Sequence, residues 1–210
     1  MGISTAIVTA TAGAIIGGGW VVGHMPTPVS TVAVSGIASK ADTYAVDNVH
    51  SSVLFKVGYM GVANFYGRFN QVSGEYTIDL EDMSACSLDV TIAASSVDSN
   101  NADRDKHLRG ADFFSAKEFP QIRFVATGFE SMPDGTIQMS GELTLRGVTK
   151  TTSATLEWLG DRADPRGGHR SGFDAALAVT RSDFGVNYGI DNGALGDDVE
   201  VTIALTGMRQ

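Results

Sequence analysis

The stretch IQMSGELTLRGVTKTTSATLEW, residues 137–158, alternates between apolar and polar side chains. From Ile137 to Leu145 every second residue is apolar or glycine, and the residues between them are Gln, Ser, Glu and Thr. The second half repeats the pattern at Ala154, Leu156 and Trp158. A period of two places alternate side chains on opposite faces of a β-strand. Because one apolar and one polar face is typical of antiparallel sheets, the stretch predicts two half-buried antiparallel strands.

The same period recurs from Thr43 onward, so that eight rows of inward-facing residues are predicted. They comprise Val53, Phe55 and Val57; Val72, Gly74, Tyr76, Ile78 and Leu80; Leu88, Val90, Ile92 and Ala94; Ile122, Phe124 and Ala126; Ile137, Met139, Gly141, Leu143 and Leu145; Thr152, Ala154, Leu156 and Trp158; Phe173, Ala175, Leu177 and Val179; and Val199, Val201, Ile203 and Leu205. Eight antiparallel strands either close into a barrel or stack as a sandwich. The mixture of large and small inward residues fits either an apolar cavity or a filled core.

Two features depart from this regular alternation. Residues 101–119 contain a charged stretch that predicts a short helix between the third and fourth strands, with Asn101 as N-cap and Gly110 as C-terminal cap. In the fourth strand, Val125 and Phe129 fall on the outer face of the predicted sheet. Exposed apolar residues of this kind suggest a partner surface, which supports an alternative function as an interaction module with a filled barrel.

The N-terminus differs in composition from the rest of the chain, because no Lys, Arg, Asp or Glu precedes Lys40. Residues 3–22 are uncharged and mostly apolar, and their length suits a helix that crosses a bilayer. We therefore predict a signal or membrane-anchor segment at 1–23, a linker at 24–42 and a folded domain at 43–210, with an extracytoplasmic location in the periplasm, the cell envelope or the medium. The alternative is an apolar tail without a targeting role.

Composition and motifs exclude several classes of function. The net charge of −9 argues against nucleic-acid binding, and the single cysteine, Cys86, excludes an intramolecular disulfide. The four histidines lack the spacing of metal ligands, and nucleotide-binding loops and nucleophile elbows are absent from the sequence. We expect no catalytic residues, no metal and no cofactor. The alternative is an enzyme that acts on a lipid head group with His50 or His107 as acid or base.

Four stretches resemble the YceI-like family of polyisoprenoid-binding, lipocalin-like proteins. They are YAVDNVHSSVLFKVGYMGVANFYGRFNQVSGEYTID (44–79), SSVDSNNADRDKHLRGADFFSAKEFPQIRF (95–124), GELTLRGVTK (141–150) and TRSDFGVNYG (180–189). The resemblance implies a single all-β, antiparallel, extended barrel of about eight strands with the helical insertion. It also implies an elongated apolar pocket that binds a long-chain amphiphile, a polyprenyl lipid or an isoprenoid quinone, without catalysis. Family members commonly carry histidine where this chain has Tyr59.

These observations predict two sets of ligand contacts. The lipid tail is expected to contact apolar residues of the inward rows, namely Val53, Phe55, Val57, Tyr76, Leu88, Val90, Ile92, Phe124, Leu143, Trp158, Phe173 and Leu177. The head group is expected to contact Arg104, His107, Arg109 and Tyr59. An alternative role for Arg109 and Asp112 is to brace the insertion against the barrel. We interpret Arg181 as part of a structural corner, paired with Asp183 or with the insertion.

The predicted partners are the isoprenoid lipid and, if the N-terminal segment is retained, a membrane. The sequence leaves open whether two copies form a homodimer.

Overall fold

The computed structural model describes residues 41–210 and places eleven β-strands and one α-helix in them. The helix is α1 (Ala102–Leu108). The strands are β1 (Tyr44–Val46), β2 (Ser52–Tyr59), β3 (Ala63–Phe69), β4 (Val72–Thr77), β5 (Ser87–Ala93), β6 (Val97–Asp98), β7 (Gln121–Ser131), β8 (Ile137–Leu145), β9 (Val148–Ala163), β10 (His169–Thr180) and β11 (Leu195–Arg209).

The strands form one antiparallel sheet that closes into a barrel. Neighbouring strands follow the order β1-β4-β5-β7-β8-β9-β10-β11-β2-β3-β6, and β1 also pairs with β11. Tyr44 of β1 is therefore paired with Tyr76 of β4 on one side and with Arg209 of β11 on the other. β1 with β2, β3 with β4, and β5 with β6 each form one interrupted barrel strand, which gives eight barrel strands. The prediction of an all-β, eight-stranded antiparallel barrel is confirmed.

The helical insertion lies between the third and fourth barrel strands, as the sequence predicts. The side chain of Asn101 accepts a hydrogen bond from the backbone N–H of Arg104 at 2.9 Å, so Asn101 is the N-cap. The C-terminal cap is Arg109 rather than Gly110, because Arg109 keeps a right-handed helical backbone and its N–H still donates to the Asp105 carbonyl.

Three strands were not among the predicted rows: the short strands β1 and β6, and β3 with seven residues. In β3, aromatic side chains occupy both faces, with Phe65 turned towards the interior and Tyr66 exposed. Tyr66 thus interrupts the outer polar row that Asn64 and Arg68 form, although the inner row keeps its spacing of two. In the second row, Ile78 and Leu80 lie beyond the end of β4, and Leu80 is exposed rather than inward-facing.

A β-bulge corrects the predicted orientation of Phe129. The pairing of β7 with β8 shifts between Ala126 and Gly128, so one extra residue is inserted there. Phe129 consequently lies opposite buried Met139 and packs against the core, whereas strict alternation would have turned it outward. Phe129 therefore offers no support for an exposed partner surface.

One end of the barrel is filled by aromatic side chains. Tyr76 is fully buried, stacks on Tyr44 with ring centroids 5.7 Å apart, and meets Phe173 edge-on at 4.9 Å. Its hydroxyl lies 2.8 Å from the hydroxyl oxygen of Ser171, so the buried polar group is satisfied. A Cβ added to Gly207 would lie 2.7 Å from both the Tyr44 Cβ and the Tyr76 hydroxyl oxygen. We call this end the closed end.

Replacement of Gly207 by alanine is expected to destabilise the barrel by about 1–3 kcal/mol, because the closely packed tyrosines would have to move. The measurement is chemical denaturation followed by circular dichroism. Gly128→Ala is the control, since a Cβ at Gly128 meets no atom within 4 Å. Equal unfolding midpoints for the two variants would contradict the close packing at the closed end.

Candidate functional site

Above the closed end, the barrel encloses an apolar cavity of about 780 Å³. Its volume lies in the range of binding pockets for small ligands. Aliphatic and aromatic side chains from the inward rows form most of its wall, and Phe173 contributes at the closed end. Small residues such as Ala154 and Ala175 face the same space and leave room within it. Of the two interpretations of the inward rows, the structure therefore favours a cavity.

Most of the residues predicted to contact a lipid tail line this cavity. They are Val53, Phe55, Val57, Leu88, Val90, Ile92, Phe124, Leu143, Phe173 and Leu177. The exceptions are Tyr76 and Trp158, which do not line it. Tyr76 is packed into the closed end, and Trp158 pairs with Phe173 and is partly buried against the core. The prediction that these two side chains line the tail site is therefore wrong.

Several aromatic residues of the cavity wall were not predicted from the sequence. Phe65 and Phe69 belong to β3, while Phe114 follows α1 and Tyr188 follows β10. A signal for β3 was present, because residues 63, 65, 67 and 69 are Ala, Phe, Gly and Phe at a spacing of two. Tyr188 lies in an irregular loop, for which periodicity offers no signal.

Polar side chains are gathered at the opposite end of the cavity, which we call the mouth. Arg104 donates from Nε to the Ser99 hydroxyl at 2.9 Å and from Nη2 to the Ser99 carbonyl at 2.7 Å. The carbon atom at the centre of its guanidinium lies 4.2 Å from the centroid of the Phe65 ring. These contacts hold a cation over an aromatic wall of the cavity.

His107 lies within an aromatic group at the mouth. Its Nε2 is 2.8 Å from a carboxylate oxygen of Asp112, and its ring meets Phe113 and Tyr188 edge-on at 5.0 and 4.9 Å. Tyr59 also lines the mouth and is about half exposed. Three of the four residues predicted to contact the head group, Arg104, His107 and Tyr59, thus line the same part of the cavity.

Arg109, the fourth of them, does not line the cavity. Its Nη1 donates to the Val97 carbonyl at 3.4 Å, which connects the end of α1 to β6. The cavity wall therefore gives no support to the predicted head-group contact of Arg109, and its geometry matches the bracing role. Asp112 pairs with His107 instead of bracing the insertion.

Arg181 is a cationic residue of the cavity wall that was not predicted to contact the ligand. It is buried and donates to three backbone carbonyls: that of Gly196 at 2.7 Å, Val186 at 2.9 Å and Leu195 at 3.3 Å. Among the ion pairs of residues 41–210, none joins Arg181 to Asp183 or to the insertion, contrary to our interpretation. Burial lowers its pKa from the ordinary value, and the charge of nearby Asp197 acts in the opposite direction. Arg181 fixes the loop that follows β10 against the start of β11.

Among residues 41–210, the ionic side chains that line the cavity directly are cationic, while Asp112 lies behind His107. The polar side chains on the cavity wall belong to Asn64, Arg104, His107, Arg181 and the tyrosines, and no Asp or Glu within residues 41–210 lines the cavity. This contrasts with the net charge of −9 for the whole chain. The mouth therefore presents hydrogen-bond donors and cations to whatever enters the cavity.

His50 lies far from this mouth, in the turn between β1 and β2 near the closed end. Its Nδ1 is 2.7 Å from Asp47, and it lines a separate, polar groove with three arginines. One of them, Arg170, contacts Asp47 at 2.6 Å and Asp164 at 2.5 Å. His50 therefore cannot act on a group held at the mouth of the cavity.

The described part of the chain contains neither a metal-binding cluster nor a membrane-spanning helix. Within residues 41–210, no three or more His, Cys, Asp or Glu side chains are grouped so that they could hold a metal ion. No helix among these residues is both long and apolar enough to span a membrane. The predicted anchor segment, 3–22, lies outside the described residues.

Comparison with known proteins finds a family similarity that covers nearly all of the barrel. A family model described as the YceI-like domain matches residues 44–207. UPF0312 proteins of Shewanella baltica OS185 and Shewanella oneidensis are each 37% identical over 176 residues, which cover 83% of this chain and 91% of the relative.

Solved structures show the same fold. The Campylobacter jejuni YCEI protein is 30% identical, with a TM-score of 0.64, over 71% of this chain and 87% of its own. Burkholderia cenocepacia BcnA has a TM-score of 0.70 at 24% identity and covers 77% of this chain and 98% of its own. A polyisoprenoid binding domain from Saccharophagus degradans has a TM-score of 0.60 at 16% identity and covers 81% of this chain and 100% of its own.

The ion pairs of Arg170 predict a stability that depends on pH. Hydrogen bonds from Arg170 hold the pKa of Asp164 at about 2 and the pKa of Asp47 well below its usual range. Carboxyls with a lowered pKa stabilise the fold above their ordinary pKa, and this contribution is lost as the pH falls towards the folded-state value. Arg170→Met is therefore expected to be less stable than the natural chain at pH 7, by a difference that shrinks between about pH 4 and pH 2.

The measurement is the denaturation midpoint at several pH values. Arg166→Met is the control, because Arg166 is 78% exposed and lies 3.5 Å from the same Asp164, so its removal should change little. A difference between Arg170→Met and the natural chain that stays constant down to pH 2 would contradict the assignment.

Proposed function

The chain belongs to the YceI-like domain family, and on this basis we propose that it binds a long-chain isoprenoid lipid, a polyprenyl lipid or an isoprenoid quinone, inside the barrel. The observation that carries the proposal is the apolar cavity of about 780 Å³ with polar side chains gathered at its mouth. An amphiphile fits this division, since its tail would occupy the apolar part and its head group would remain at the mouth.

Burial of the tail supplies the driving force for binding. Each methylene group transferred from water to an apolar site contributes about 0.8 kcal/mol, from which the cost of ordering the chain is subtracted. Phe55, Phe124 and Leu177 offer the tail aromatic and aliphatic contacts on different strands. A longer prenyl tail should therefore bind more tightly until the cavity is filled.

The mouth favours a head group that accepts hydrogen bonds or carries negative charge. Arg104, His107 and Tyr59 line this part of the cavity, and Arg181 adds a buried positive charge. A quinone carbonyl and a prenyl phosphate are both acceptors, whereas a cationic head group would be repelled by the two arginines. The selectivity that we propose is thus for acceptor head groups over cationic ones.

The Saccharophagus degradans structure supports the ligand class by its fold. That protein is described as a polyisoprenoid binding domain and is similar to this chain across the barrel. At 16% identity the similarity concerns the fold, and the proposal for this chain rests on its own cavity.

We further propose that the binding is non-catalytic and serves carriage, storage or sequestration of the lipid outside the cytoplasm. The apolar wall supports the first part along the tail, because general acid–base chemistry needs groups within hydrogen-bond reach of a reacting atom and the side chains that would contact the tail are apolar. The uncharged, apolar stretch 3–22 supports the second part, since such a segment is typical of export or of anchoring at a membrane.

Mass spectrometry of the full chain, purified from its native source, tests the proposed binding. The native mass is expected to include an isoprenoid that is removed by organic extraction. An empty protein that also fails to take up added prenyl lipids would refute the proposal. The denatured mass would show in the same experiment whether residues 1–23 are retained.

Filling the cavity is expected to abolish uptake of the tail. Ala175 is buried and lines the cavity, so Ala175→Phe places a ring in the space that the tail would occupy. We expect the affinity for a prenyl quinone to fall at least tenfold. The measurement is the quenching of the protein's tryptophan fluorescence as the quinone is added.

Ala176→Phe is the matched control, because the neighbouring residue is exposed on the opposite face of the same strand. Thermal unfolding of both variants verifies that they are folded. Unchanged affinity in a folded Ala175→Phe protein would exclude this cavity as the tail site.

A further inference from the structure

The mouth of the cavity carries a set of apolar and aromatic side chains that are exposed to solvent. Tyr59, Met60 and Val62 surround the tight turn between β2 and β3, and Tyr188 lies in the loop after β10. All four are exposed, with Met60 at 59% and Val62 at 84%. The turn is joined to the segment before β11 by a hydrogen bond from the Met60 N–H to the Ala194 carbonyl at 3.1 Å. We call these four residues the rim.

The backbone conformation of this turn is unfavourable for Met60. Met60 has a φ of +52° and Gly61 a φ of +67°, and the Val62 N–H donates to the Tyr59 carbonyl. This left-handed two-residue turn favours Asn-Gly or Asp-Gly, and a methionine in its first central position is strained. Since Met60 is exposed and does not line the cavity, packing does not explain why an apolar residue is held there.

The rim also lacks charge. No Asp, Glu, Lys or Arg lies between Lys56 and Arg68, or between Asp183 and Asp191, although 19% of the chain is charged. Both loops therefore present uncharged residues at the same end of the barrel. A surface that enters the apolar part of a bilayer must be free of charge, because ionised side chains are costly there. Met and Val can enter the acyl region, while tyrosine is suited to the interface.

The size of the rim favours a lipid surface over a protein partner. Four partly exposed side chains present on the order of a few hundred Å² of apolar surface. A stable interface with a second protein, or with a second copy of this chain, buries about 800 Å² on each side. A bilayer has no such requirement, since a few apolar side chains are sufficient for shallow and reversible insertion.

We propose that the rim inserts into the surface of a lipid bilayer, so that the mouth of the cavity opens directly onto the membrane. The purpose of this docking rests on the proposed function. An isoprenoid that crossed water between the bilayer and the cavity would expose its whole apolar tail, and docking of the mouth on the membrane avoids this exposure. Insertion itself requires no bound lipid and can be measured on vesicles that contain no isoprenoid.

Tryptophan quenching tests the insertion at the rim itself. Val62→Trp is prepared in the full chain, with Val49→Trp as the matched control. Val49 is the same residue type and is 83% exposed, but it lies in the turn between β1 and β2, where the Asp47 N–H donates to the Thr206 carbonyl near the closed end. Each variant is mixed with phosphatidylcholine vesicles whose acyl chains are brominated or unmodified. The signal of the natural Trp20 and Trp158 is subtracted by using the unsubstituted chain.

We expect bromine to quench the fluorescence of the introduced tryptophan at least threefold more strongly in Val62→Trp than in Val49→Trp. Equal quenching in the two variants would overturn the proposal. Because the comparison is between two positions in the same chain, attachment through residues 3–22 does not alter its meaning.

Analytical ultracentrifugation provides a second test, since a dimer that dissociates in Val62→Asp would identify the rim as a contact between copies and overturn the membrane docking.

Transfer kinetics separate the docking from the proposed binding. Met60→Asn keeps a residue suited to the left-handed turn while it removes the apolar side chain. We expect it to slow the uptake of a fluorescent prenyl lipid from vesicles at least fivefold and to leave the amount bound at equilibrium unchanged. An unchanged rate would contradict docking at the rim. Absence of equilibrium binding in the natural chain would instead refute the proposed function, while the quenching experiment still decides the insertion.

Discussion

The structure depends on the pairing of the first barrel strand, which β1 and β2 form together, with its two neighbours. β1 is only three residues long, yet Tyr44 is paired with Tyr76 on one side and with Arg209 on the other. Together with the pairing of β2 with β3 and with β11, these contacts close the sheet, which would otherwise leave rows of unpaired backbone groups at its edges. Closure also gives the sheet an inside, so that one face of every barrel strand is removed from water. The apolar cavity is a consequence of this closure combined with the period-two sequence.

The two ends of the barrel use arginine in different ways. At the closed end, Arg170 is held by the carboxylates of Asp47 and Asp164, so its charge is compensated locally. At the mouth, Arg104 and Arg181 donate to a serine and to backbone carbonyls, and neither joins any of the ion pairs among residues 41–210. The same residue type is thus paired with carboxylates at one end and with neutral acceptors at the other.

Periodicity was sufficient to predict the regular strands of the barrel, and the predictions failed where the backbone interrupts that periodicity. Every second residue from Ile137 to Leu145 is buried as expected. Phe129 was assigned to the wrong face because a single inserted residue reverses the alternation, and such a bulge leaves no mark in composition. The role of Arg181 could not be predicted because its partners are backbone carbonyls, which are the same for every residue type. Tyr188 was missed because only the tertiary fold brings its loop to His107.

The division between a closed end and a mouth also determines how a ligand can enter. Tyr76, Tyr44 and Phe173 fill the closed end and are packed edge-on or stacked, so entry there would require the core to open. At the mouth, the wall is formed by loops and by a seven-residue helix instead of continuous strands. Loops rearrange at lower free-energy cost than a hydrogen-bonded barrel, because fewer backbone hydrogen bonds must break. The polar and aromatic residues at the mouth therefore lie where a ligand would have to pass, so the proposed head-group contacts would also act on the ligand as it enters.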